Sequence, residues 1–336
     1  METNMIHRIN RRKLLLCASS ALGAGMATSA LAQIAAAGTA SIMVPYPAGG
    51  ASDAIARIVN TPLGKELGQT VLVENLGGVS GALGAQKVLS APANGQYIYQ
   101  GSPNEVILAP LANAAVKFAS EDFQLIQPIC YAPIVLVARH DLPANSIDEL
   151  VTLARKPPKN QPLSYGSVGV GSMYHVLAEH MGQRIQTAMS HVPYKGGPPL
   201  LQDLAGSNVD FTFLPHFAAI DGMVASGRVK ILGQVGATRA ATLPKIPSFQ
   251  ESKLLKDFNF SIWTGYMVKK GTPSDVVLRL QKALHDTLAQ PKVIESLTAQ
   301  SQIVAKPMTL EESARFYAAE TANYRQLAKA VGITPQ

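Results

Sequence analysis

The sequence predicts two α/β domains, the second inserted into the first, with a ligand cleft between them. Three observations carry this. Short apolar runs alternate with helical patterns along most of the chain. That rhythm is interrupted twice by longer strand-like stretches, Tyr131 to Pro143 and Phe260 to Pro273. A chain of 336 residues, 47% hydrophobic and only 15% charged, is long and apolar enough to bury two cores.

Taken in order, the first 32 residues read as an address and not as part of the fold. The basic "HRINRRKLLL" precedes "LCASSALGAGMATSALAQ", too short for a membrane span but of secretory character. Ala30-Leu31-Ala32 then supplies a cleavage signal before Gln33. Arg11-Arg12 also resembles a twin-arginine signal, so Sec and Tat export both stay open. Cleavage removes four cations and one acid, lowering the net charge from +7 to +4. It also removes Cys17 and leaves Cys130 alone, so the mature chain has no internal disulfide to form.

The mature chain opens with the strand "SIMVPY" and a helix from Ser52 to Leu67, then "TVLVEN" and a helix from Ser80 to Leu89. "QYIYQG" follows, with a turn at Ser102-Pro103-Asn104. After the first long stretch the alternation restarts: "LSYGSV", a helix from Ser172 to Met181, "MSHVPYKGG", a helix from Pro199 to Leu204, "VDFTFLP" and "VKILGQVG". The second long stretch leads into helices over Ser274 to Leu288, Pro291 to Gln300 and Leu310 to Ala330. Such alternation predicts parallel sheets with covered faces. The expected domains are residues 33–133 with 260–336, and the inserted 134–259. Trp263, in the second crossover, is expected at the hinge or the cleft wall, with a position in the core of one domain as the alternative.

Two turns are candidates for holding a ligand, because open α/β sheets bind beyond their strand ends, where helix N-termini present unpaired N–H groups. In "PYPAGGASD", Pro45 and Pro47 stiffen the approach, Gly49 and Gly50 let a backbone come close, and Ser52 can cap the helix. "YGSVGVGSMYHVLAEH" repeats the design, with Ser167, Gly169, Gly171 and Ser172 before a helix carrying His175. Facing each other, two such turns grip the ends of a small acid without any Arg.

Other chemistries fit poorly. No Lys/Arg run interleaves with aromatics, which argues against nucleic acid. "YGSVG" has Tyr165 where a hydrolase nucleophile elbow needs glycine. His175 and His180, five apart, stand about 140° from each other around a helix, which spoils a shared metal-binding face. "GSVGVG" has the wrong order for a dinucleotide loop, and "YKGG" for a phosphate loop.

The run "VPYPAGGASDAIARIV" with "LGQTVLVENLGGVSGALGAQKVLSAPANGQ" resembles the opening domain of the Bug-type receptors, the periplasmic solute-binding proteins of tripartite tricarboxylate transport systems. "YGSVGVGSMYHVLAEHM", "HVPYKGGPPLLQDLAGSNVD", "ATLPKIPSF" and "ESARFYAAETANYRQLAKAVGI" resemble further family segments in order. The resemblance implies a two-lobed periplasmic-binding-protein fold of type II, closing on a small carboxylated solute. It also implies a soluble, monomeric periplasmic protein, without cofactor, metal or catalysis, that meets membrane transporter subunits transiently. A periplasmic sensor partner is the alternative.

The resemblance places one pocket loop on Tyr46, Pro47, Ala48, Gly49, Gly50, Ser52 and Asp53, and a second on Ser167, Gly169, Gly171, Ser172 and His175. Ser102, Asn104, Tyr194 and Pro215 complete the candidate set. Two segments depart from the family pattern. Phe213, Leu214, Pro215 and His216 stand where an Asp and an Asn are common, and Leu76, Gly77, Gly78 and Val79 where "ENRPGAGG" is common. Both favour a more apolar ligand, such as an aromatic acid.

Overall fold

The computed structural model describes residues 38–335; the leader, Cys17 and the cleavage point near Ala32 lie outside the described residues. The first lobe opens with β1 (Ala40–Val44), α1 (Ala51–Leu67), β2 (Val71–Asn75), α2 (Ala82–Ser90) and β3 (Tyr97–Gly101). A π-helical turn (Asn104–Leu108) runs into α3 (Ala109–Ala112) and on to β4 (Phe123–Ala132). The chain crosses at Pro133 to β5 (Ile134–Arg139), α4 (Ile147–Arg155), β6 (Ser164–Ser167), α5 (Met173–Ile185) and β7 (Ser190–Pro193). The second lobe continues with α6 (Gly197–Ala205), β8 (Phe211–Pro215), α7 (Ala218–Ala225) and β9 (Val229–Gln234). It returns as β10 (Ile262–Lys269), α8 (Ser274–Leu288), α9 (Pro291–Ala299), β11 (Ile303–Val304) and α10 (Leu310–Val331).

Two sheets result, ordered β11-β4-β10-β3-β1-β2 and β7-β6-β8-β5-β9, in a two-lobed α/β fold. The sequence predicts parallel sheets, but each is mixed. β2-β1-β3 and β7-β6-β8 are parallel, because a helix carries the chain back between successive strands. The strands arriving from the other lobe, β10 and β5, have no such helix to bring them round. They lie antiparallel to β3 and β8.

Alternation along the strands separates two cores. Ile42 and Val44 of β1 face α1 and α8, together with Val59, Leu63 and Leu284, whereas Met43 joins the opposite face with Tyr99 and Met267. That second core continues through Ala132 and Ile134 into the second lobe. The same alternation places Trp263 away from the cleft. Its neighbours Ile262 and Thr264 line the cleft, while its own ring packs on Phe316 and Tyr317 and its Nε1 donates to Glu320 Oε2 at 2.9 Å. Helix α10 reaches across to the second lobe, where Gln183 Nε2 donates to the Val331 carbonyl at 3.0 Å.

Candidate functional site

The cleft lies where the carboxyl ends of β1, β3, β6 and β8 meet the crossover strands. Its lining contains no charged side chain. On the first-lobe side stand Tyr46, Gly50, Ser52, Ser102 and Asn104; on the other, Val168, Tyr174, Leu214, Pro215 and Phe217. Ile262, Thr264 and Gln302 form the floor near the crossovers.

Helix α1 supplies the anion-binding element. Its N-cap is Gly50, with extended backbone and no side-chain cap, so Ser52 lies inside the first turn and does not cap it. The N–H groups of Ala51 and Ser52 find no acceptor among the described residues and border the cleft. The carboxylate of Asp53 turns away, taking the Gly49 N–H and Arg57 Nε at 2.9 Å each. Burial alone would raise Asp53, but those bonds hold it below the usual carboxylate range. Tyr46 Oη, buried at the cleft wall, has no partner among the described residues.

The second glycine-rich turn is built differently. Three of its donors are already used: Gly171 N–H donates to His175 Nδ1 at 3.0 Å, Ser172 N–H to the Gly169 carbonyl, and Met173 N–H to Asn104 Oδ1 at 2.7 Å. Ser172 caps α5 by accepting from His175 N–H. Ser167 is fully buried, with Oγ on the Gly169 carbonyl and 2.7 Å from His191 Nε2.

Gly169 and Gly171 are two of the places where the lobes touch. A Cβ on Gly169 would stand 2.4 Å from Ser80 Oγ, and one on Gly171 2.0 Å from the Ala112 Cβ. His175 stacks on His191, centroids 4.1 Å apart, and opens on a separate cavity beside Ala112 and the end of α10. Burial, then the neighbouring His175, pushes His191 down to about 4, so both rings are neutral near pH 7.

Of the residues singled out in the sequence, Tyr46, Gly50, Ser52, Ser102, Asn104 and Pro215 are brought together around the cleft. Pro47 sits in the seam between the lobes, where a Cβ on Gly196 would come within 2.6 Å of its ring. Ala48 and Gly49 are exposed, and Asp53 faces Arg57. Tyr194 donates its hydroxyl to Asp203 at 2.7 Å, outside the lining.

Sequence reasoning missed Gly197 and Pro198 at the start of α6, although "KGGPP" has the glycines of a close approach. It missed Ile262 and Thr264, which the two-residue period of β10 could have separated from Trp263. Nothing in the sequence points to Gln302. The apolar strand end divides: Leu214, Pro215 and Phe217 face the cleft, while fully buried His216 bonds Ser301 Oγ at 2.8 Å across the lobes.

An uncharged cleft at the strand ends of two lobes, joined by crossover strands and fronted by an open helix N-terminus, defines a solute-binding receptor. The profile described as "Tripartite tricarboxylate transporter family receptor" (TctC) matches residues 55–333, and the chain belongs to that family. A UPF0065 protein of Agrobacterium vitis is 32% identical over 278 residues, covering 81% of this chain and 79% of its own. The solved periplasmic binding protein BugD is 29% identical with a TM-score of 0.82, covering 89% of this chain and 99% of that one. An R. palustris protein solved with adipate is 26% identical with a TM-score of 0.81, covering 89% and 98%.

Proposed function

We propose that the protein is a monomeric periplasmic receptor that closes on a small organic acid and passes it to membrane subunits of a tripartite tricarboxylate-type transporter. Membership of the receptor family supports the transport role, and adipate in a related structure supports a carboxylate as ligand. The moving bodies are residues 33–133 with 260–336, and 134–259. They hinge where β4 passes into β5 and in the segment before β10.

The observation that carries the ligand assignment is the open end of α1. Two free N–H groups, backed by the helix dipole, suit one carboxylate. The opposite wall is built differently. Three donors before α5, the N–H groups of Gly171, Ser172 and Met173, are already used, and Pro198 and Pro199 remove two from the first turn of α6. Val168, Leu214, Pro215 and Phe217 instead present apolar surface. The favoured solute is therefore an acid with one anchored carboxylate and an apolar or aromatic body.

Calorimetry and thermal shift with benzoate, hexanoate, adipate and benzamide test this. Benzoate or hexanoate is expected to bind 1:1, stabilising the protein by about 2.7 kcal/mol at a hundredfold excess over Kd, with benzamide silent. Binding of adipate alone would show that the far wall is polar to its ligand. Stabilisation by the amide but not the acids would sink the carboxylate assignment.

A further inference from the structure

Behind the Ser102 end of the cleft lies a carboxyl group that this reading leaves unused. Glu105 is 1% exposed, at the start of the π-helical turn. Its Oε2 accepts from the Ser102 N–H at 2.6 Å and its Oε1 from the Ser102 hydroxyl at 3.0 Å. Ser102 Oγ in turn accepts from the Asn104 N–H at 3.3 Å. The packing is tight, since a Cβ on Gly81 would come within 2.3 Å of Glu105 Cγ.

The titratable groups around Glu105 are phenols: Tyr46 from the loop after β1, Tyr99 from β3 and Tyr174 from α5. Burial raises all three, so they stay neutral at ordinary pH. Ser102 lines the cleft, and so does Tyr46, whose buried hydroxyl faces the Glu105 carboxyl without a full hydrogen bond to it and favours its ionised form.

We propose that Glu105 is a positioning residue that switches Ser102 from acceptor to donor, so that the solute's carboxylate is captured together with one proton that rests on Glu105. The inference builds on the carboxylate reading above. With Glu105 ionised, the Ser102 hydroxyl points back at Oε1 and shows the cleft only a lone pair, which repels an anion. When Glu105 takes a proton from solvent, its own O–H donates to Ser102 Oγ along the same line. The seryl proton then swings toward the cleft and donates to the solute. No covalent bond to carbon forms or breaks.

Burial pushes Glu105 up to about 7, against the pull of its hydrogen bonds. A second anion nearby raises it further. A group whose pKa rises on binding gives affinity that is complete below its free value and lost as pH climbs past it. Affinity should thus fall about tenfold per pH unit above about 7, until the bound-state value is passed.

Calorimetry of the mature protein with benzoate and hexanoate, in phosphate and Tris at about pH 8, reads the proton directly. Uptake approaching one proton per acid bound is expected there, and little at about pH 6, where both acids are ionised and Glu105 is already protonated. Glu105→Gln, whose amide donates to Ser102 Oγ as the protonated acid would, should bind at pH 8 with the acid-pH affinity of the parent, at least tenfold tighter, and lose the pH dependence. Carboxyl ¹³C titration of the unliganded protein supplies a readout independent of any variant, with a Glu105 midpoint near 7 expected. A midpoint below about 5, binding without proton uptake, or an unchanged pH profile in Glu105→Gln overturns this inference alone. If neither acid binds at any pH, the carboxylate reading fails and takes this inference with it.

Discussion

Gly49 and Gly171 share a left-handed backbone, at φ 82° and 76°, for different reasons. A Cβ on Gly49 meets nothing within 4 Å, so glycine is there for its dihedral and not, as the sequence suggests, to admit a ligand. A Cβ on Gly171 would collide with Ala112 of the facing lobe. Gly49→Ala should therefore cost about 1 kcal/mol of stability and leave benzoate affinity within a factor of about three. Gly171→Ala adds an obstacle to lobe contact and should weaken binding at least tenfold. Paired unfolding and calorimetry experiments separate the two, and equal losses of affinity would refute the assignment of Gly171 to the seam. The sequence showed that both glycines matter; it could not show which one faces a partner about sixty residues away.

Elements were legible where the signal is local. Helix α8 spans the predicted Ser274–Leu288, and α10 starts after Thr309, whose hydroxyl and the Glu312 carboxylate form a reciprocal cap. The first half of β4, helices α4 and α7 and the two-residue β11 were not anticipated; β11 is too short to carry a pattern of its own. The candidate site was half legible for the same reason. A strand ending in a glycine turn announces an open helix start, but whether its donors are free depends on partners such as Asn104 for Met173, 69 positions away. Strand periodicity also decides the single tryptophan. The Trp263 ring is 1% exposed inside the first lobe, so its emission should shift by less than about 2 nm when benzoate saturates the cleft. A larger shift would mean that α10 moves against β10 during closure.

For the whole molecule, the question is what holds the lobes together once a solute is inside. The Ser80 hydroxyl donates to the Val170 carbonyl at 2.7 Å between the lobes, joining residues 90 positions apart. The loop bearing it is strained, with Val79 and Ser80 both at φ 52°, a conformation that a β-branched residue adopts reluctantly. Strain of order 1–3 kcal/mol per residue persists only where surroundings enforce it, and the facing Gly169 supplies that surface. If the lobes part, as the proposed closing mechanism requires, the loop would lose both its bond and its support, which would couple closure to loop conformation. Ser80→Ala leaves every cleft-lining residue in place and removes one hydrogen bond from the closed form alone. Net of solvent, that bond contributes about 0.5–1.5 kcal/mol, or roughly 2- to 13-fold in affinity. X-ray scattering on the parent should show a smaller radius of gyration with saturating benzoate than without. Ser80→Ala should reach the same compact radius, but only at correspondingly higher benzoate. A radius that does not respond to benzoate in either protein, with binding still measurable by calorimetry, would mean that the lobes form a rigid preformed pocket and that the Ser80 bond is a permanent joint.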